Sequence, residues 1–244
     1  MRSLFLFLTI FVTLSTLSAA EQKHDAYHWN SLIGKGINLG NALDAPKEGA
    51  WGVTLKEAYF ELISQAGFDS IRIPVNWANH AAKKAPYTID PTFLARVDWA
   101  VEQALSRDLV VILNIHHYDE LYSHPKKNRA RFVALWKQLA EHYQNSPATL
   151  YFEILNEPHG ELTSELWNQY LEQSLTVIRK DKNIIVTFHF YLPFKFTHQG
   201  ASWVGEQSQN WLSTEWHGST ADKQELIGFF DKAHQWSKTQ QRPL

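Results

Sequence analysis

The feature that most constrains this chain is a regular alternation of short, β-branched apolar runs with amphipathic stretches. The runs are Ile33–Leu39, Ser70–Val75, Leu109–Ile115 and Thr149–Leu155. Their starts recur at about 40 residues, the length of a strand–helix unit with generous loops. Each run is nearly continuous in apolar residues instead of alternating with polar ones, as a strand covered on both faces must be. The pattern therefore points to a parallel sheet flanked by helices.

The intervening stretches carry helix signals. Thr54-x-x-Glu57 reads as a capping box ahead of Leu55, Tyr59, Leu62 and Ile63. Asp90-Pro91 supplies a cap and a first-turn proline before Leu94, Val97, Val101, Ala104 and Leu105. Phe132, Trp136, Leu139 and Tyr143 repeat at helical spacing, as do Trp167, Tyr170, Leu171, Leu175 and Ile178. Beyond Ile178 the alternation changes. Helical sequence runs directly into Asp181-Lys182-Asn183 and a fifth strand predicted over Ile184–Phe188. A last helix is predicted over 220–239, with Leu226, Phe229, Phe230 and Ala233 on one face. No low-complexity linker interrupts the chain, so a single domain is expected.

The chain has 244 residues, 44% of them hydrophobic and 20% charged, which excludes wholesale disorder. A net charge of -2 gives no electrostatic case for nucleic acid or an anionic membrane. With no Cys there is no disulfide framework, zinc–thiolate site or thiol nucleophile. Residues 1–20 combine Arg2, an apolar run and the small residues Ser18-Ala19-Ala20. This is the pattern of a secretory signal peptide cleaved after Ala20, and the Thr and Ser in the run argue against a membrane anchor. Residues 21–244 would then be a secreted domain, extracellular or periplasmic and free of the membrane.

Function in parallel α/β folds gathers at the carboxyl ends of the strands. The first run ends in Asn38-Leu39-Gly40-Asn41, and the second carries Arg72 and leads to Asn76-Trp77. The third ends in Asn114-Ile115-His116-His117-Tyr118, the fourth in Asn156-Glu157-Pro158-His159, and the fifth in His189-Phe190-Tyr191. All of them bring polar groups to one end, as a shared pocket would. Glu157 is the candidate general acid, given burial or a second carboxylate to raise its pKa. Asn156 can meet a substrate hydroxyl, and Arg72 can hold a carboxylate ionised. Glu153, two residues before Leu155, reads as a buried structural carboxylate paired with a cation. His117 is either a core histidine or a ligand-facing one. A metal site of His116, His117 and His189 is an alternative that lacks the usual zinc spacing. Trp99, Trp136, Trp167 and Trp236 fall in helices and read as packing. Trp51, Trp77, Trp203, Trp211 and Trp216 fall in loops and are candidates for stacking on sugar rings.

These segments resemble glycoside hydrolase family 5, the cellulase family. The resemblance runs from about Ile33 to the C-terminus. It is carried by GINLGN at Gly36–Asn41, FDSIRIPVNW at Phe68–Trp77, LNIHHY at Leu113–Tyr118, FEILNEPHG at Phe152–Gly160 and TFHFY at Thr187–Tyr191. It implies a (β/α)8 barrel of the TIM type and retaining hydrolysis of a β-1,4-linked polysaccharide, endoglucanase-like. Glu157 would be the general acid/base. Arg72, His116, His117, Asn156, His189, Tyr191, Trp77 and Asn41 would line the substrate site. In such enzymes the Arg and the His-x-Tyr pair support the nucleophile. No metal or cofactor is implied, since both roles are carboxyl chemistry.

The resemblance also marks departures. The family nucleophile is a Glu ending the seventh strand, a short way after a segment like Gln241–Leu244, and a sugar-stacking Trp follows on the eighth strand. Neither precedes Leu244, and one βα unit is expected to be absent between Lys180 and Asp181. The barrel is thus expected to be incomplete, with five to six strands. Glu206, Glu215 and Glu225 remain after Tyr191, and none follows a strand. The alternative reading is a carbohydrate-binding chain without turnover.

Overall fold

The structure, a computed structural model, describes residues 25–178 and 185–244. The predicted signal peptide and the Lys180–Asp181 junction lie outside the described residues.

Each apolar run becomes a short strand, and each strand pairs in parallel with the next. The strands are β1 (Gly36–Asn38), β2 (Ser70–Ile73), β3 (Val110–Asn114) and β4 (Leu150–Glu153), in the order β1-β2-β3-β4. The helices are α1 (Ala26–Ser31), α2 (Glu57–Gln65), α3 (Pro91–Leu105), α4 (Asp119–Ser123), α5 (Pro125–His142), α6 (Ser164–Ile178), α7 (Phe194–Thr197) and α8 (Thr220–Gln240). The register pairs Asn38 with Arg72, Arg72 with Ile112, Ile112 with Tyr151, and Asn114 with Glu153. Successive side chains of a strand point to opposite faces. One face therefore carries Ile71, Ile73, Val111, Leu113, Leu150 and Phe152, which pack under the helices. The other carries Asn38, Arg72, Asn114 and Glu153 and forms the floor of the candidate site.

The helix-facing side is a dense core. Phe60, Ile71, Ile73, Val97, Leu113, Phe132, Leu135 and Trp136 are fully buried. Trp136 also donates its indole N–H to the Ile154 carbonyl at 3.0 Å, satisfying the polar end of a buried aromatic. Asp90 caps α3 as its sequence predicts, accepting from the N–H groups of Thr92 (2.7 Å) and Phe93 (3.1 Å). The predicted cap at Thr54 is not used. Helix α2 starts at Glu57 after Lys56, with no side-chain cap. The chain enters it through a tertiary contact instead: the Leu55 N–H donates to Glu48 Oε1 at 2.8 Å, and Arg96 clamps that carboxylate from α3 at 2.9 Å.

The fifth predicted strand is a second correction. Within the described part of that run, 185–188, no residue joins the sheet, and Val186 instead donates its N–H to the Pro243 carbonyl at 3.1 Å. An apolar β-branched run makes an extended segment, but a strand exists only in a ladder, and none of these residues pairs with β4. The segment lies against α8 through Phe188–Phe230 and Phe190–Phe229 ring contacts at 6.1 and 5.6 Å. The predicted α8 forms with a Ser219–Asp222 capping box, but none of its residues is buried. Trp236 is accordingly exposed and not the packing residue expected of it.

Candidate active site

The polar floor is one connected network crossing all four strands, and Arg72 is its centre. Its Nε and Nη2 donate to the two oxygens of Glu153 at 2.6 and 2.7 Å. Nη1 donates to Asn38 Oδ1 at 2.8 Å, and Nη2 also reaches Asn156 Oδ1 at 2.9 Å. Glu153 therefore has the cation that its sequence position predicts. Burial opposes its ionisation, but the bonds and charge of Arg72, with a further bond from Asn114, hold its carboxyl below the usual glutamate range. Both of its oxygens are committed, which suits a scaffold carboxylate and not a nucleophile.

Asn114 is the second hub and is fully buried. Its Oδ1 accepts the Val75 N–H at 3.2 Å, and its Nδ2 donates to Glu153 Oε1 at 3.0 Å. The same Nδ2 lies 3.1 Å from His116 Nδ1. Burial pushes the His116 pKa down to about 3, and the charges of Arg72 and His117 act in the same direction. His116 is neutral at physiological pH.

Beyond β4 the chain turns sharply. The Asn156 N–H bonds the Ile115 carbonyl at 3.0 Å, and the Asn156 carbonyl accepts from the buried Tyr122 hydroxyl at 2.8 Å. Glu157 follows with φ +42°, an unfavourable left-handed conformation for a residue that also precedes proline. Backbone strain of this kind concentrates where the fold must aim a side chain. His189 Nδ1 and the Tyr191 hydroxyl (2.8 Å) both bond Glu157 Oε1. Burial raises the Glu157 pKa, but these two bonds and the His189 charge outweigh it and leave the carboxyl below its usual range. The His-x-Tyr pair, expected to serve the nucleophile, here holds Glu157.

Arg72, His116, Asn156, Glu157, His189 and Tyr191 are thus brought together. His117 stands half-buried beside them, edge-on to His116 at 4.7 Å and to the exposed Trp51 at 5.6 Å. Asn41 is exposed on the loop after β1 with φ +63°. Trp77 is a correction. It is 0% exposed and donates its N–H to the Asn114 carbonyl at 3.0 Å, so its face offers nothing to a sugar. Proximity to the strand end misled the reading, because the chain after Val75 turns down into the core. Of the other loop tryptophans, Trp203 is 82% exposed, whereas Trp211 and Trp216 are half-buried. Nothing in the local pattern marked the roles of Asn38 and Asn114, although both end their strands on the face of Arg72. The same holds for Tyr122, on the short helix α4, for which no periodic signal existed.

A group that could hold a cation is Asp44, His116 and His117, whose ligand atoms lie within 4.8 Å of one another. This is not the His116–His117–His189 set raised from sequence. His189 is engaged with Glu157 instead.

The sequence model described as Cellulase (glycosyl hydrolase family 5) matches residues 33–181. Endoglucanase H of Acetivibrio thermocellus is 34% identical over 93% of this chain and 27% of its own length. Endoglucanase B of Clostridium cellulovorans is 26% identical over 82% of this chain and 54% of its own length. The chain spans about a quarter to a half of these curated relatives. The crystal structure of endoglucanase Cel5A from the hyperthermophile Thermotoga maritima superposes with a TM-score of 0.86 at 46% identity, over 90% of this chain and 80% of that one. The fold class is that of the (β/α)8 barrel, of which the described residues form four parallel strands. On the match through the strand-end motifs, and on the likeness of the whole described fold, the chain belongs to glycosyl hydrolase family 5, the cellulase family.

Proposed function

We propose that this chain is a secreted glycoside hydrolase of the retaining class, acting on β-1,4-linked glucan with Glu157 as general acid/base. The observation that carries the reading is the placement of Glu157 at the end of β4, aimed by backbone strain and flanked by Asn156, His116, His189 and Tyr191. Asn156 Oδ1 is taken by Arg72, which leaves its amide N–H groups as donors for a sugar hydroxyl. Structures of the Thermotoga enzyme are described in complex with cellobiose and with mannotriose, which supports a β-linked oligosaccharide as the ligand class. Glu157 would protonate the glycosidic oxygen while a second carboxyl takes up the anomeric carbon, and would then deprotonate the water that releases the sugar from that carboxyl. Its first step needs a proton, which the bonds from His189 and Tyr191 disfavour.

A second reading, sugar binding without turnover, is favoured by the carboxylates themselves. Retention needs two carboxyls about 5–5.5 Å apart. Glu153 is locked by Arg72 and Asn114. Glu206 and Glu225 are exposed on helical segments, and Glu215 pairs with His217 at 3.6 Å in solvent. Reducing-sugar release from a soluble β-1,4-glucan, measured beside Glu157→Gln, separates the readings. Release lost in the variant supports hydrolysis. Cello-oligosaccharide binding by both proteins with no release from either supports the binding chain. Export is tested by N-terminal sequencing of protein recovered outside the cell, with Glu21 expected as the first residue.

A further inference from the structure

We infer that Asn114 is a positioning residue that sets the tautomer of His116, making His116 an obligate Nε2–H donor in the sugar site. The inference rests on the proposed sugar-binding reading and goes beyond it. Two neighbours of Asn114 have hydrogen-bonding roles with no freedom. The Val75 N–H can only donate, so the Asn114 atom 3.2 Å from it is the carbonyl oxygen. Glu153, held ionised by Arg72, can only accept, so the Asn114 atom 3.0 Å from its Oε1 is the amide nitrogen. The orientation of the amide is therefore determined from both ends. That nitrogen has no lone pair to offer His116, 3.1 Å away, so His116 Nδ1 must accept. The ring proton sits on Nε2. Arg72, Glu153, Asn114 and His116 thus form a directed chain from a fixed charge to a ring tautomer, as second partners do for histidines in other sites.

Two consequences follow. His116 can donate to a sugar oxygen but cannot accept from a hydroxyl, which restricts how a sugar can sit. It also has no lone pair on Nε2 for a cation. A cation drawn to the Asp44–His116–His117 group through Nε2 would have to displace the proton there and disturb the Asn114 contact.

The test reads the tautomer directly. Long-range proton–nitrogen correlation on the 15N-labelled full chain distinguishes protonated from unprotonated ring nitrogens, with His116→Gln identifying the His116 signals. The wild-type chain is expected to show Nε2 protonated and Nδ1 bare. In Asn114→Asp a carboxylate oxygen replaces the amide nitrogen, and the proton is expected to move to Nδ1. Affinity for cellotetraose should fall at least about tenfold, the scale of one lost directional hydrogen bond. A wild-type His116 that is protonated on Nδ1 or exchanges between tautomers overturns the inference, as does an Asn114→Asp chain that keeps Nε2–H. If that variant does not melt cooperatively, Asn114→Ala replaces it, since it puts no second carboxylate beside Glu153. His116 should then populate both tautomers, and retention of pure Nε2–H refutes the role. A wild-type chain that shows the expected tautomers and switch but binds no cello-oligosaccharide upholds the tautomer assignment and sinks the sugar-binding reading alone.

Discussion

Replacing Arg72 by Met should destabilise the protein by about 3 kcal/mol at neutral pH, and the deficit should shrink on acidification. Arg72 and Glu153 are only 18% and 16% exposed at their side chains, so water screens the pair weakly. Met keeps much of the aliphatic bulk and removes every donor. Glu153 then loses its bonds at 2.6 and 2.7 Å and, among the described residues, keeps the one from Asn114. Removing one partner of a buried pair costs about 3–5 kcal/mol. The lower end applies here, because the Asn114 bond survives and the sheet face is partly open. For a domain of this size that lowers Tm by about 6–12 °C. The pH dependence follows from the depressed pKa of Glu153. Such a carboxyl contributes stability above its unfolded pKa of about 4.3, and this is lost as pH falls through the lower folded value. Without Arg72, burial dominates and the folded pKa rises. The penalty is then complete at neutral pH and fades as the carboxyl protonates. Urea denaturation followed by circular dichroism at about pH 7 and about pH 4 reads both effects, and Glu153→Gln with the double variant closes a cycle for the coupling. A loss under about 1 kcal/mol at neutral pH, or one unchanged in acid, would refute the reasoning.

Three further outcomes are expected. Combining His189→Ala with Tyr191→Phe leaves burial to act on Glu157 without its two bonding partners, so its pKa should move above the usual glutamate range in a carbon-13 carboxyl titration; a pKa still depressed would mean that another group holds it. Trp77→Phe keeps the buried ring but strands the Asn114 carbonyl, and should cost about 1–2 kcal/mol in denaturation with no change in cello-oligosaccharide affinity; an affinity loss would return Trp77 to the sugar site. Gly160→Ala combines φ +64° with a Cβ only 2.9 Å from the Tyr122 carbonyl oxygen, and should cost about 2–3 kcal/mol, against about 1 kcal/mol for Gly67→Ala, where φ is +76° but the space is open; equal losses would show that the contact is irrelevant.

Much of this was legible in the residues. The four strands fall inside the runs that their composition marks out, and the Asp90-Pro91 start of α3 is used as read. Glu153 finds a cation, and the ends of the four strands meet the His189–Tyr191 segment in one site. Local signals misled where a tertiary alternative was available. Thr54 lost the start of α2 to the Glu48–Arg96 clamp, and Trp77 turned inward beneath β3. The run after Asn183 had the composition of a strand but no ladder to join.

By itself the sequence determined the parallel strand–helix alternation, its core face and the residue types at the strand ends, because periodicity and composition act within one element at a time. Only the tertiary structure decided which of those residues meet. It tied Arg72 to Glu153 across 81 positions of sequence, turned the Asn114 amide toward His116, and set the His189–Tyr191 pair on Glu157. Those choices depend on register, on backbone conformations such as the positive φ of Glu157, and on the matching of donors to acceptors between distant segments, none of which a local pattern encodes.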